Sequence, residues 1–305
     1  MVKVSEIAFI RFAAPDLVRM ERFLTDFGLV RVPTEDDALY MRGSDRDPWI
    51  HQTVHGEAGY RGVGFSVERA DDLERASRLE GASSIEDLKS PGGGACVHFV
   101  DPDGFSVEIV HGREPAEALE TERALPLNSG GDCPRIHEMQ RVPKGPARVR
   151  RLGHAVVHVS DFSTSAAWYQ DRFGFLFSDE IFLGAEDNLV TAFMRCDRGS
   201  IPADHHTFLC LGIGPIGFDH AAFEVEDFDA IMTGHGHLEE AGHDHHAGVG
   251  RHILGSHIFD YWKDPWGHTL EHFTDGDLFD ATREPRRQSV EVALGTHWGH
   301  PPIPG

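Results

Sequence analysis

The chain has 305 residues, of which 40% are hydrophobic and 26% charged, and its formal net charge is −22. This acidic excess argues against binding to nucleic acid or to an anionic membrane surface, because both repel a negative protein. No apolar run approaches the roughly 18 residues that a membrane-spanning helix needs. The start of the chain alternates like a strand and lacks a secretory signal, and the four cysteines are scattered. We therefore expect a cytoplasmic protein with reduced thiols.

The chain consists of four similar modules. The segment HAVVHVSDF at 154–162 returns as HAAFEVEDF at 220–228, with His, Ala, Val, Asp and Phe at the same offsets. Weaker copies occur in the first half, FIRFAAPDL at 9–17 and GVGFSVERADDL at 62–73. Repeats of this length indicate that one structural unit recurs along the chain.

Each module shows the same order of elements. An alternating strand ends at an Asp that can cap a helix, and several short alternating strands follow that helix. In the third module the helical stretch DFSTSAAWYQDRFG stops at Gly174. The pattern predicts a βαβββ unit, and four such units predict an α+β fold of two domains.

The polar stretch 128–149 separates the second module from the third and is the predicted linker. We place the N-terminal domain at 1–127 and the C-terminal domain at 150–275. The remaining residues, 276–305, have no strong period. We expect them to form a tail that packs over the site as a lid.

A second motif, DPxGxxxE, occurs once in each half, at 101–108 and 264–271. Its second copy ends at Glu271, in the half where His154 and His220 occupy the same position of two successive modules. The repeat places these histidines pseudo-symmetrically across one domain. The C-terminal domain therefore keeps a set of two histidines and one glutamate.

The first half has lost this set. Phe9 and Gly62 stand where the histidines would be, and neither side chain can bind a metal. Glu108 alone makes a poor metal site, so we expect an ordinary solvated or hydrogen-bonded carboxylate. The N-terminal domain is predicted to consist of two degenerate, metal-free modules.

This layout resembles the vicinal oxygen chelate superfamily. Within it, the chain is similar to the type I extradiol catechol dioxygenases over nearly its whole length. The resemblance implies that each domain is an open barrel. It also implies that His154, His220 and Glu271 form a facial triad that holds Fe(II), or Mn(II) as in some members, and that the protein is a homo-oligomer.

The family also has three residues near the metal that are not ligands. An acid–base histidine lies fourteen or fifteen residues before the second ligand and is usually followed by Thr, which in the sequence DHHT is His206. Its neighbour His205 is the competing choice, and strand alternation sends the two to opposite faces. The resemblance further assigns His252, after Gly-Arg, and Tyr261, ten residues before the glutamate, as hydrogen-bond partners of the bound oxygens.

The expected reaction follows from this set. Two imidazoles and one carboxylate leave three adjacent coordination positions open, as in non-haem Fe(II) oxygenases. The resemblance implies an extradiol (meta) cleavage of a substituted catechol or polyhydroxylated arene. Both atoms of the co-substrate O₂ enter the ring-opened product, which is of the muconic semialdehyde type.

Two alternatives stay open on the same fold. The first is a glyoxalase-like isomerase or lyase, whose site resembles an arrangement of four protein ligands that includes a second carboxylate. The corresponding stretch of this chain, 205–212, contains no carboxylate. A small-molecule-sequestering protein without a metal would have no use for three aligned ligands. Arginines could recognise an acidic side arm of the substrate, and the candidates are Arg251, Arg283, Arg286 and Arg287.

Several other histidines need an interpretation. The stretch GHGHLEEAGHDHHAG at 234–248 mixes Gly, Glu and Asp without a fixed ligand spacing, so we interpret it as a solvated loop. His268 and His272 flank Glu271 at odd spacing, which predicts that they point to the opposite strand face. We expect a structural role for His158 and assign none to His257.

Overall fold

The structure is a computed structural model that describes residues 1–121 and 125–299. It contains one sheet of eight strands, one of ten and a small one of two. Few helices accompany them, so the predicted α+β class and the two-domain arrangement are confirmed. Among the described residues, no helix is both long and apolar enough to cross a membrane.

The eight-stranded sheet is built from the first half of the chain. Its strands are β1 (Glu6–Ala14), β2 (Val30–Val32), β3 (Leu39–Arg42), β4 (His51–His55), β5 (Gly59–Ser66), β6 (Glu86–Asp87), β7 (Ala95–Val100) and β8 (Ser106–His111). Two helices accompany them, α1 (Leu17–Asp26) after β1 and α2 (Ala70–Ala76) after β5. This order is the predicted βαβββ unit, present twice.

The other sheets are built from the second half. The third and fourth modules contribute β9 (Val149–His158), α3 (Phe162–Phe173), β10 (Leu176–Phe182), β11 (Leu189–Arg195), β12 (Ala203–Asp204), β13 (Phe208–Leu211), β14 (Gly217–Val225), α4 (Phe228–Glu240), β15 (Asp244–His252), β16 (Ile258–Lys263) and β17 (Thr269–Thr274). The tail adds β18 (Leu278–Phe279), β19 (Arg286–Ser289), α5 (Val290–Ala293) and β20 (Thr296–Gly299).

Each large sheet has two related halves. The orders are β2-β3-β4-β1-β5-β8-β7-β6 and β19-β10-β11-β13-β9-β14-β17-β16-β15-β20. In both, the first strands of two modules pair antiparallel at the centre, and the first and last strands of each module pair parallel. The tail strands β19 and β20 form the two edges of the larger sheet.

Helices α1, α3 and α4 begin at the predicted Asp caps, whereas α2 begins after Arg69, which makes no side-chain cap, so the prediction of an Asp cap is wrong for the second module. The carboxylates of Asp16, Asp161 and Asp227 accept hydrogen bonds from backbone N–H groups three residues on, at 2.8–2.9 Å. These bonds satisfy donors that the first turn leaves free. Helix α3 ends at Gly174, whose φ of 73° is a left-handed conformation that glycine adopts without strain.

The His-rich stretch 234–248 is not a solvated loop, and that prediction is wrong. Its first residues belong to α4 and its last residues to β15, with a short turn between them. Gly234 and Leu238 are buried on the inner face of α4. Composition alone suggested a loop, whereas the buried helix face decides the local structure.

The two halves contact each other through buried polar groups. The Nε2 of His272, on β17, donates to the carbonyl of Phe27 at 2.7 Å, and the two rings stack 3.8 Å apart. On α3, the hydroxyl of Tyr169 donates to the Asp101 carboxylate at 3.0 Å, and both side chains are buried. Burial is the main reason why the pKa of Asp101 is raised.

The Tyr169→Phe variant tests the second contact. Removing the hydroxyl leaves a buried carboxylate oxygen of Asp101 without its partner, which is expected to lower the free energy of unfolding by about 1–2 kcal/mol. Tyr60→Phe is the matched control, because the buried hydroxyl of Tyr60 has no hydrogen-bond partner among the described residues. Urea unfolding followed by circular dichroism measures both, and equal effects of the two substitutions would contradict the assignment.

Burial also predicts sensitivity to acid. His51, on β4, is 1% exposed, and burial lowers its pKa to about 3. Between pH 6.5 and about 3 the unfolded chain binds a proton at His51 that the folded chain does not, so stability falls as the pH falls. The loss from this one residue is about 2 kcal/mol at pH 5.

We expect His51→Leu to flatten the decline in stability between pH 7 and pH 5, measured as urea midpoints at several pH values. His55→Gln, at the exposed end of the same strand, is the control and should keep the wild-type slope. An unchanged slope in His51→Leu would assign the acid sensitivity to other groups.

Candidate metal centre

His154, His220 and Glu271 lie on three neighbouring strands of the larger sheet. In the register, Ala222 of β14 pairs with His154 of β9 on one side and with Glu271 of β17 on the other. His220 is two residues before Ala222, on the same face of β14. The antiparallel centre of the sheet therefore brings residues from distant parts of the chain to one point.

The three side chains converge on one volume. The Nε2 atoms of His154 and His220 are 3.3 Å apart, and each lies 3.3–3.4 Å from Oε2 of Glu271. Atoms at such separations can share one ion at about 2.0–2.2 Å, the usual distance for imidazole nitrogen and carboxylate oxygen. The structure thus brings together the three residues that the sequence selects as ligands.

The state of Glu271 fits a cation at this point. Its side chain is fully buried, and neither carboxylate oxygen has a hydrogen-bond partner among the described residues. A buried carboxylate without a partner is costly, and burial accordingly raises its pKa. Burial lowers the pKa of His154 well below its ordinary value, so this imidazole is neutral and able to bind a metal.

Asp219 orients the second histidine, a role the sequence analysis missed. One of its carboxylate oxygens accepts a hydrogen bond from Nδ1 of His220, which leaves Nε2 free for an ion. The other oxygen lies 2.8 Å from Nε2 of His158, whose Nδ1 is bonded to the carbonyl of Ile213. Carboxylates in this position fix the ring and raise the basicity of a ligand histidine. The only available signal was that Asp219 directly precedes His220.

His206 lies beside the triad, with its ring centroid 4.0 Å from that of His154. Its Nδ1 is 3.0 Å from Nδ1 of His205, and Nε2 of His205 is 2.8 Å from a carboxylate oxygen of Asp179. His206 lines the central cavity, while His205 points towards Asp179 on β10. The two histidines precede β13 rather than lying in it, so strand alternation is not the reason for their different directions.

Tyr261 and His252 are next to the triad on the other side. Nε2 of His252 lies 3.0 Å from the Tyr261 hydroxyl, and Tyr261 pairs with Glu271 across β16 and β17. Burial raises the pKa of Tyr261 well above its ordinary value and lowers that of His252 to about 4. Tyr261 is therefore a neutral hydroxyl and His252 a neutral imidazole at neutral pH.

These groups open into a cavity of about 440 Å³. Four further histidines line it, His158, His246, His257 and His268. His257 is 1% exposed, and its ring centroid lies 4.9 Å from that of His206. His268 also borders the cavity, and its ring packs against that of Phe12 in the first half of the chain, with the centroids 5.2 Å apart. His272 does point away, towards the first half of the chain.

The equivalent position in the first half is closed by an ion pair. Arg11 contacts both carboxylate oxygens of Glu108, at 2.6 and 3.0 Å, and Glu108 is 4% exposed. Of the two expected states of this carboxylate, solvated or hydrogen-bonded, the structure shows the hydrogen-bonded one. A guanidinium group supplies the positive charge that this buried glutamate needs.

The comparisons with known proteins agree with this geometry. Residues 151–272 match the family model described as Glyoxalase/Bleomycin resistance protein/Dioxygenase superfamily. This match over the C-terminal half agrees with the superfamily that the sequence resembles.

Curated relatives extend the similarity over most of the chain. Metapyrocatechase 2 of Cupriavidus necator is 29% identical over 271 residues, which are 88% of this chain and 80% of the relative. A manganese-dependent 2,3-dihydroxybiphenyl 1,2-dioxygenase of Geobacillus genomosp. 3 is 26% identical and covers 98% and 95%. An iron-dependent extradiol dioxygenase of Rhodococcus jostii strain RHA1 is also 26% identical, with 98% and 97% covered.

Solved structures share the fold at lower identity. Homoprotocatechuate 2,3-dioxygenase from Brevibacterium fuscum superposes with a TM-score of 0.80 at 18% identity, covering 99% of this chain and 91% of that one. An Mn(II)-bound glyoxalase from Novosphingobium aromaticivorans has a TM-score of 0.79 at 21% identity, with 100% and 96% covered. Two different activities thus occur on this fold, and the side chains of the site must decide between them.

The Asp219→Asn variant tests whether Asp219 supports the metal centre. An amide cannot provide the negative charge that orients His220, so the affinity for Mn²⁺ is expected to fall by about 10–100-fold. Titration of metal-free protein with Mn²⁺ by calorimetry measures the change. Asp16→Asn, a change of the same type at the start of α1, is the control and should retain the wild-type affinity.

Proposed function

We propose that the protein is an extradiol ring-cleaving dioxygenase that acts on a substituted catechol and O₂. The observation that carries the proposal is the buried triad of His154, His220 and Glu271 with His206 at its side. Relatives named as extradiol dioxygenases, similar over nearly the whole chain, support it. A glyoxalase-like reaction is disfavoured, because the 205–212 stretch offers His206 to the cavity and no carboxylate.

The triad would hold a divalent ion, and we propose Fe(II), with Mn(II) as the alternative. One relative is named as manganese-dependent and another as iron-dependent, so the names support either metal. When bound, such an ion supplies adjacent open positions for a chelating catechol and for O₂.

His206 is suited to act as the general base. If Nε2–H of a neutral His205 donates to the Asp179 carboxylate, then Nδ1 of His205 is unprotonated and accepts a hydrogen bond from Nδ1–H of His206. Nε2 of His206 is then an acceptor too, and it can take a proton from a catechol hydroxyl. Burial lowers the pKa of His206 well below its ordinary value, which keeps the free enzyme in the unprotonated form.

Tyr261 and His252 would hold the substrate oxygens. Nε2 of His252 and the Tyr261 hydroxyl are hydrogen-bonded to each other, so each group fixes the orientation of the other. The high pKa of Tyr261 keeps its hydroxyl proton in place as a hydrogen-bond donor. This pair faces the triad from the side opposite His206.

The cavity favours a catechol with an apolar substituent. Among the described residues that line it are Val156, Ile181, Phe193, Leu209, Leu254 and Val290; they include one lysine, Lys263, and no arginine. Arg251 is bonded to the Asp275 carboxylate and the Ser256 carbonyl instead. We therefore propose an alkyl- or aryl-substituted ring rather than one with an acidic side arm.

Helix α5 of the tail contributes Val290, Ala293 and Leu294 to the same cavity, which supports the predicted lid. The tail residues 300–305 lie outside the described part of the chain. The cytoplasmic location and the homo-oligomeric state stay predictions.

The activity is tested with anaerobically purified protein loaded with Fe(II) or Mn(II). Oxygen uptake and the appearance of a yellow ring-opened product are expected with 3- and 4-alkylcatechols and with 2,3-dihydroxybiphenyl. We expect weaker turnover of 3,4-dihydroxyphenylacetate, which carries an acidic arm. The His206→Phe variant should lose about 10²–10⁴-fold in kcat at unchanged metal content.

Two results would contradict the proposal. The first is an absence of oxygen uptake across the catechol panel in protein that contains one Fe(II) or Mn(II) per chain. The second is a His206→Phe variant that turns over as fast as the wild type, because the base would then lie elsewhere.

A further inference from the structure

Among the described residues, two further groups of possible metal ligands lie outside the centre described above. In the first, Cys96, His98 and Glu108, Arg11 already neutralises the carboxylate. In the second, His235 belongs to α4, His245 to β15 and Asp260 to β16. One ligand atom from each of these last three residues lies within 4.8 Å of the others, as in the triad. We call these three residues the helix–sheet cluster.

Both imidazoles of the helix–sheet cluster point at one carboxylate. Nδ1 of His235 lies 3.1 Å from Oδ2 of Asp260, and Nε2 of His245 lies 2.9 Å from Oδ1. Asp260 is fully buried, whereas the histidine side chains are 18% and 29% exposed. The buried oxygens therefore face a small opening through which an ion could enter.

Neighbouring side chains contact the cluster residues, as residues around a metal site commonly contact its ligands. The indole N–H of Trp262 donates to Oδ2 of Asp260 at 2.6 Å. Glu239, one turn after His235 on α4, has an oxygen 3.5 Å from Nε2 of His235, the nitrogen that faces away from Asp260. Ligand carboxylates and histidines commonly have such contacts, which fix their orientation.

A similar pair of histidines nearby lacks this convergence. His237 and His243 lie 3.3 and 2.8 Å from opposite oxygens of Asp26. Among the described residues, the ligand atoms of these three side chains do not all lie within 4.8 Å of one another. The two arrangements have the same composition, two histidines and one aspartate, and differ in geometry alone.

The helix–sheet cluster is separate from the catalytic cavity. Asp260 and Tyr261 are consecutive in β16, so their side chains leave the sheet on opposite faces. Trp262, two residues after Asp260, shares its face and packs 4.7 Å from the ring of His245. An ion bound here would join α4, β15 and β16 behind the strand that carries Tyr261.

We propose that His235, His245 and Asp260 form a second metal site, which binds a divalent transition-metal ion of the zinc type. Two imidazoles favour Zn²⁺, Ni²⁺ or Cu²⁺ over Mg²⁺ or Ca²⁺, which prefer oxygen ligands. The remaining coordination positions would be taken by water through the opening between the histidines. The ion would link helix α4 to strands β15 and β16 and would have a structural role only.

The test is a count of bound Zn²⁺ in untagged, metal-free full-length protein, by equilibrium dialysis and mass spectrometry. We expect two ions in the wild type and one in the variant with both His235→Gln and His245→Gln. The matched control, with both His237→Gln and His243→Gln, should keep two. Glu271→Gln should keep one, and Glu239→Gln should keep two while weakening the second by about 10-fold.

A thermal measurement gives an independent readout. In the Glu271→Gln background, excess Zn²⁺ should raise the melting temperature, since an ion that binds only the folded state stabilises it. Adding His235→Gln and His245→Gln should abolish that rise. Glutamine keeps an amide N–H that can donate to the buried Asp260 carboxylate, and the indole N–H of Trp262 still donates to it.

The outcomes separate this proposal from the proposed catalytic centre. If the wild type binds one ion and Glu271→Gln binds none, the second site is overturned and the triad stands. If the His235/His245 variant still binds two ions, the second site is likewise overturned. If the wild type binds one ion that only the His235/His245 variant loses, the second site stands and the proposed triad fails.

Discussion

The candidate centre depends first on the antiparallel pairing of β9 with β14. This pairing places His154 and His220 on adjacent strands, and the parallel pairing of β14 with β17 then adds Glu271. A shift of one residue in either pairing would turn a ligand to the other face of the sheet. The large apolar side chains of the same strands hold this register, because they must remain in the core.

A buried carboxylate within the last strand of a module requires a compensating positive charge. The two halves meet this requirement differently. Arg11 neutralises Glu108 through two hydrogen bonds, whereas Glu271 has two imidazoles and no partner for its oxygens. The same fold therefore carries a closed ion pair in one half and an open ligand set in the other.

Much of this could be predicted from the sequence, because the modules repeat. The repeat identified the βαβββ order and aligned His154, His220 and Glu271 in one register. Contacts between elements without a repeat were not predictable. The bond from His205 to Asp179 joins residues 26 positions apart, and no pattern links them. The His-rich stretch was misassigned because composition does not reveal a buried helix face.

The tail determines how the larger sheet ends. Its strands β19 and β20 pair with β10 and β15, so both borders of the ten-stranded sheet are occupied by residues from the last part of the chain. Unpaired borders invite other chains to add strands, which leads to aggregation. In the eight-stranded sheet, the border strands β2 and β6 have only three and two residues, which likewise limits the addition of strands from another chain. The segment that contributes apolar side chains to the cavity thus also supplies border strands of only four residues each, which leave little backbone for another chain to pair with.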